Sequence, residues 1–404
     1  MTKKGIIAMG ISLTLGLGLT GLVSCVGGGG TSIVQIEKQA KISGLFPIMQ
    51  GGKYGYINKT GEIAIKAQFD NATEFSDGLA VVAVGGKYGY IDTKGAMAIN
   101  PQFEEAQDFV DSMAVIKQGG KYGYVGKDGK IAINPQFEAA SRFSGGLALV
   151  NSSGKYGYIG KDGKFVINPQ FDEAGSFSED MAVIKLGNYG YIDKTGKYVI
   201  NPQFDNAGNF SGGLAKVKTG NKVGYIDKAG KTVINPQFDD GGDFVEDLAV
   251  VSSGGKYGYI SKDGKYAVNS QFNSAADFSE GLALVSTSGK YGYIDKTGTY
   301  IINPQYMSGT NFLDGLAYVE ESSKKGYIDK AGKYVWTYST AVSKPSVSPS
   351  SISSTSSPNF SLSDLTGYWS MASDNGSSTT EVLMLQLQQA DSNVQGVASL
   401  SKLS

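Results

Sequence analysis

A carboxylate recurs at one turn of this sequence, at Asp92, Asp128, Asp162, Asp193, Asp227, Asp263, Asp295 and Asp329, with Asn58 in the first copy. Repeated carboxylates have two chemical uses, as cation ligands and as paired acids and bases. Calcium takes six to eight oxygens, and one acid per turn falls well short of that number. An Asx side chain in such a turn more simply accepts nearby backbone amides. We therefore expect these residues to hold turns, with no metal and no cofactor. The chain has no histidine, which removes the side chain best suited to proton transfer near neutral pH. Carboxylates from distant copies could still meet, as in a glycosidase, but such a site should interrupt the repeat. The interruptions are small: Val223 in a tyrosine position, and one residue missing near Asn188. No catalytic residues are expected, and the chain is not read as an enzyme.

Aromatic residues are the second candidate. Tyrosines at alternate positions, such as Tyr257 and Tyr259, share one face of a strand, and paired phenylalanines such as Phe69 with Phe75 and Phe204 with Phe210 recur in each unit. A row of exposed tyrosines would grip a glycan. The competing reading is core between units, because a buried aromatic or aliphatic side chain contributes about 1.5–3 kcal/mol and a unit this short needs it.

The elements that carry these residues follow from the period. Gly-Tyr recurs from Gly55-Tyr56 to Gly326-Tyr327 in nine copies, every 34 residues except for one step of 33. A unit of that length cannot bury its own apolar face and must stack on neighbours. Within a unit, Leu282–Val285, Lys290–Ile294 and Thr299–Ile302 read as three short strands, with Gly298 in the hairpin turn and Pro304 ending the third. The segment holding Phe272 and Phe278 reads as a packed connection. The recurring Lys-Tyr-Gly-Tyr-Ile-Asp, followed by Gly, Asn-Pro-Gln-Phe and Gly-Leu-Ala-Val, resembles the WG-repeat (KWG-repeat) proteins of bacteria across residues 45–338. The family tryptophan is replaced by Tyr54, Tyr88, Tyr122, Tyr156, Tyr189, Tyr257 and Tyr291, by Val223, and by Lys325 in the last copy. The resemblance implies a repeat architecture and little about chemistry. The fold class expected is all-β, nine ~34-residue three-stranded antiparallel repeats, arranged as an open curved or superhelical array or as a β-propeller-like ring. Both ends hold whole units, with no strand offset to splice the termini, which favours the open array. Lys325 and Trp336 then read as an end cap.

Outside the array, Lys3 and Lys4, an apolar run from Ile6 to Leu19, and Leu22-Val23-Ser24-Cys25 describe a signal peptide. The last four residues resemble a bacterial lipobox, so residues 1–24 are expected to be removed and Cys25, the sole cysteine, lipidated. Residues 25–43 form a glycine-rich tether, 44–338 the array and 339–363 a Ser/Pro-rich linker. Residues 364–404 form a tail in which Gly367-Tyr368-Trp369 is similar to the Gly-x-Trp that opens lipocalin-like barrels. A formal charge of -1 gives nucleic acid no electrostatic purchase. The function expected is a lipid-anchored, non-catalytic protein-interaction module of the bacterial cell envelope, with a membrane partner through Cys25 and an unknown envelope protein. The alternative is glycan or cell-wall binding through the tyrosines. Variable positions such as Glu104-Glu105, Glu138-Ala139 and Asn273-Ser274 are where one surface would be tailored.

Overall fold

Each repeat makes one small antiparallel sheet. The computed structural model describes residues 44–338, 369–370, 382–390 and 393–401. Cys25, the signal peptide, the tether and the linker therefore lie outside the described residues. In the first sheet β1 (Leu45–Gln50), β2 (Lys53–Asn58) and β3 (Ile63–Phe69) lie in sequence order. The second adds a short strand and runs β4 (Asn71–Ala72), β5 (Leu79–Val84), β6 (Lys87–Asp92) and β7 (Met97–Phe103). Seven more four-stranded sheets follow in the same order, which makes nine blades. The expectation of three strands per unit is corrected here. The segment read as a connection carries the fourth strand, two residues long in most blades and six at Asn206–Ser211 and Asp240–Val245.

Pro304 does not end its strand, which runs from Tyr300 to Tyr306. Tyr293 pairs with Ile302 and Tyr291 with Tyr306, so the third strand carries extra residues in a bulge. The proline sits in that bulge on an edge strand, where a missing N–H costs the ladder nothing. The same bulge explains the glycine of the Tyr-Gly-Tyr strand. A β-carbon on Gly292 would lie 2.5 Å from the carbonyl oxygen of Ile302 and 2.7 Å from the nitrogen of Pro304, distances only hydrogen tolerates.

The core lies between blades rather than within them. One cluster joins Tyr56, Ile65 and Phe69 of the first blade to Phe75, Ala80, Val82 and Ile91 of the second, and the pattern repeats around the array. The last blade meets the first in the same way, with Leu316 and Tyr327 packed on Phe46, Ile48 and Ile57. The array is a closed nine-blade β-propeller. Of the two arrangements left open by the sequence, the favoured open array is thus set aside. Closure needs no splicing of the termini within one blade, because packing between whole blades achieves it. Trp336 is no cap: it packs against the cluster that joins the two ends. Separately, Trp369–Ser370, Val382–Ala390 and Asn393–Ser401 form a three-stranded antiparallel sheet in a second unit, residues 343–404.

Candidate binding site

The inner tyrosine of each repeat is fastened at both ends. The hydroxyl of Tyr191 donates to the carbonyl of Gly208, 17 residues on, at 2.8 Å, and its ring packs on Phe210 with centroids 4.9 Å apart. Tyr56, Tyr90, Tyr124, Tyr158, Tyr225, Tyr259 and Tyr293 do likewise with the following blade. Burial pushes these phenols far above their ordinary 10.0. Their rings are closed to solvent, so these inner tyrosines offer a sugar no platform. The outer tyrosines at Tyr88, Tyr122, Tyr156, Tyr189, Tyr257 and Tyr291 are half-buried. Two of them are tied down: Tyr122 donates to Glu105 at 2.8 Å and Tyr189 to Glu173 at 2.6 Å.

The turn acids hold turns. Asp295 Oδ1 accepts the amides of Thr297 at 2.9 Å and Thr299 at 3.0 Å, while Gly298 takes φ 86 at the left-handed position. Asp92, Asp193, Asp227 and Asp329 each accept two amides in this way, as does Asn58. Variable polar positions are engaged as well. Glu104 accepts the amides of Gly119 and Gly120, Glu138 that of Gly154, and Asn273 that of Ser288, so positions expected to tailor a surface instead tie hairpins.

Two features without a counterpart in the sequence reading remain. The first is a polar belt one residue before each phenylalanine anchor: Glu74, Asp108, Arg142, Ser176, Asn209, Asp243, Asp277 and Asn311. Thr73 donates to Asp108 at 2.9 Å, and Arg142 approaches Asp108 at 3.7 Å. Glu74 keeps solvent contact yet sits deep enough that desolvation, with Asp108's charge, pushes its carboxyl up to about 7. Asp277 rises to about 6, from burial first and then the charge of Asp243. Position-by-position comparison of the copies would have found this belt, since its residue type changes in almost every repeat.

The second feature is an apolar rim. The edge strand opposite the short one opens with Ile63, Met97, Ile131, Phe165-Val166, Tyr198-Val199, Val233, Tyr266 and Ile301, side chains that stay 37–50% exposed. Rings reach across blades along it, with Phe165 edge-on to Phe137 at 6.2 Å and Tyr266 edge-on to Phe238 at 6.1 Å. A shallow cleft of about 240 Å³, lined by Thr73, Tyr88 and Glu105 among others, lies between the second and third blades. It is smaller than sites that enclose ligands.

These geometries agree with the comparison to known families. The WG containing repeat matches residues 54–88, 88–122, 122–156, 156–188, 189–222, 224–257, 257–291 and 291–324. The chain belongs to the WG-repeat family. No curated protein matches it. Among solved structures, the WG-repeat propeller is similar to Hsv2p of Kluyveromyces lactis at 9% identity and a TM-score of 0.37, over 55% of this chain and 91% of that one. The WD40 domain of Neurospora crassa Pan2 matches at 14% identity and a TM-score of 0.30, over 57% and 87%. PorZ, a surface component of the type-IX secretion system of Porphyromonas gingivalis, matches at 11% and 0.30, over 74% and 51%.

Proposed function

We propose that this WG-repeat propeller is a non-catalytic protein-interaction module, held to a bacterial envelope membrane through a lipidated Cys25. The apolar rim carries the reading. Exposed apolar side chains in successive edge strands, bridged by rings between blades, form a patch of the kind that marks protein contact. Repeat arrays present broad surfaces of this sort. The inner tyrosines and the turn acids are engaged within the protein, whereas the rim side chains stay exposed. The anchor rests on the sequence around Cys25; one acyl chain binds reversibly, and two or more hold stably. The C-terminal strands, Trp369–Ser370 with its two partners, are read as a lipocalin-like fragment from Gly367-Tyr368-Trp369.

The test uses the full chain in a bacterial host, with in-cell cross-linking. The rim variant combines Phe165→Ser, Val166→Thr, Tyr198→Ser and Val199→Thr. An envelope protein cross-linked to the native chain should be lost from this variant while the melting temperature holds, and Cys25→Ser should move the chain from the detergent phase to the aqueous one. A partner retained undiminished by the rim variant sinks the rim reading. So does saturable binding to cell-wall sacculi that free sugar fragments compete away. A Cys25→Ser chain that stays in the detergent phase refutes the anchor.

A further inference from the structure

Among the described residues, the first blade lacks the inner strand that the other eight carry. In each of those eight an amide just before the inner strand donates to the strand beside it, as Asp70 does to the carbonyl of Ala83 at 2.9 Å and Met307 to that of Glu320 at 2.7 Å. Met49 holds that place in β1, and among the described residues no such amide reaches it. The gap shows in the polar belt as well. Glu74 and Asn311, on either side of the first blade, are exposed, whereas the six belt residues between them are half-buried or buried. An open sheet edge with space beside it takes a further strand.

The chain itself runs up to this edge. Gly44 takes φ 68 immediately before β1, as Gly78 takes φ 85 immediately before β5, so the backbone enters the first blade as it enters the second. One period back from Asn71-Ala72 lie Glu37-Lys38. Glu37 stands 17 residues before Tyr54, the spacing at which Glu105 accepts the hydroxyl of Tyr122. The second residue of the inner strand is alanine or glycine elsewhere, because a β-carbon on Gly241 or Gly309 would stand 2.6 or 3.0 Å from the hydroxyl of the preceding blade's tyrosine. Tyr327, which precedes the first blade around the ring, sends its hydroxyl to the carbonyl of Pro47 instead, which removes that limit at Lys38.

We propose that residues 36–39 of this chain dock on the open edge as the fourth strand of the first blade, with Glu37 in register with Met49. The inner strand pairs antiparallel in the other blades, so the tether would leave beside the Gly51-Gly52 hairpin. That is the opposite end of the blade from the turn after which Ile63 and the rim begin. Eleven residues separate Cys25 from Ile36, a reach of at most about 40 Å. The hairpin face then lies toward the membrane and the rim away from it, open to a protein partner. This orientation rests on the anchor reading; the docking does not.

The experiment pairs cysteines in the full chain, with Cys25→Ser leaving no other thiol. Side chains at this pair of positions meet in other blades, Ser274 Oγ with Ser286 Oγ at 2.6 Å and Lys117 with Glu105 at 2.7 Å. Glu37→Cys with Met49→Cys should close a disulfide on mild oxidation at least about tenfold faster than Thr31→Cys with Met49→Cys, because docking holds the first pair in contact while the tether lets the second wander. Ile36→Pro, which removes the amide matching that of Asp70, should slow closure by a similar factor. In the native chain, amide exchange at residues 36–39 should be at least about tenfold slower than at residues 27–32. Equal closure rates for the two pairs overturn the proposal, as do undiminished closure in Ile36→Pro and unslowed exchange at residues 36–39. Exchange slowed at Met49 but not at residues 36–39 gives the edge to a strand of a second copy and overturns it too. A failed anchor, read from the phase partition of Cys25→Ser, would leave these results unchanged, so the two readings fall separately.

Discussion

One side chain links the blades: a tyrosine whose ring and hydroxyl both reach into the following sheet, as Tyr225 reaches Phe244 and the carbonyl of Gly242. An aromatic pair of this kind contributes beyond its buried area, and the hydroxyl hydrogen bond keeps the phenol from being a buried cost. The belt acids work in the opposite sense. Glu74 and Asp277 hold protons in the folded chain up to about 7 and 6, whereas their ordinary values are 4.5 and 3.8. Between those values the folded state binds protons that the unfolded state has released, so stability falls as pH rises through the window and grows as pH is lowered. Melting temperature should rise from about pH 7.5 to about pH 5.5, and Glu74→Gln with Asp277→Asn should remove the rise. A flat native profile over that range would show that these carboxyls are not desolvated. Acids such as Asp295, held below their ordinary range by turn hydrogen bonds, reverse the slope only at lower pH.

At the scale of the strand, the bulge opposite the Tyr-Gly-Tyr segment sets the shape of each blade. Gly190 faces the carbonyl oxygen of Ile200 at 2.6 Å from where a β-carbon would stand, and the nitrogen of Pro202 at the same distance. Both are backbone atoms that cannot swing aside. Gly190→Ala should cost upward of about 3 kcal/mol, the range of forced overpacking, read as a lower urea midpoint. Gly220→Ala, at a turn glycine with open space around it, meets no such clash. Equal midpoints for Gly190→Ala and the native chain would refute the close approach. The glycine was legible in the sequence because it recurs in all nine copies, between two tyrosines in seven of them. The bulge was not, because Asn-Pro-Gln-Phe reads as a strand end when the proline is scored alone. The fourth strand escaped for a related reason: two residues such as Glu105-Ala106 leave no alternation to detect. The belt was missed because its polar residues sit beside invariant phenylalanines, and a reading led by the constant positions passes over the changing ones.

For the whole molecule, the question is what makes nine similar units into one object. Tyr327 donates to the carbonyl of Pro47 at 2.9 Å and packs on Phe46 at 5.5 Å, which repeats the contact made at each earlier interface. The sequence has Lys41 one repeat before Phe75, and Phe46, where other copies carry alanine, supplies the missing ring. An ion pair also repeats across blades. Lys127 meets Asp77 at 2.6 Å, Lys228 meets Glu179 at 3.2 Å, Lys296 meets Glu246 at 3.4 Å and Lys330 meets Glu280 at 3.2 Å. Lys59 of the first blade makes the same pair with Asp314, near the last. Exposed pairs like these contribute little to stability, but they report which blades are neighbours. The sequence showed the unit and its count; closure turned on a single displaced phenylalanine, which no period announces.

The most direct test of the closed ring is zero-length carbodiimide cross-linking of the native monomer, followed by peptide mapping. The ring predicts a Lys59–Asp314 amide in yield comparable to Lys296–Glu246 and Lys330–Glu280, which share its chemistry. The two latter links formed without the first would mean that the ends do not meet, and would contradict the propeller.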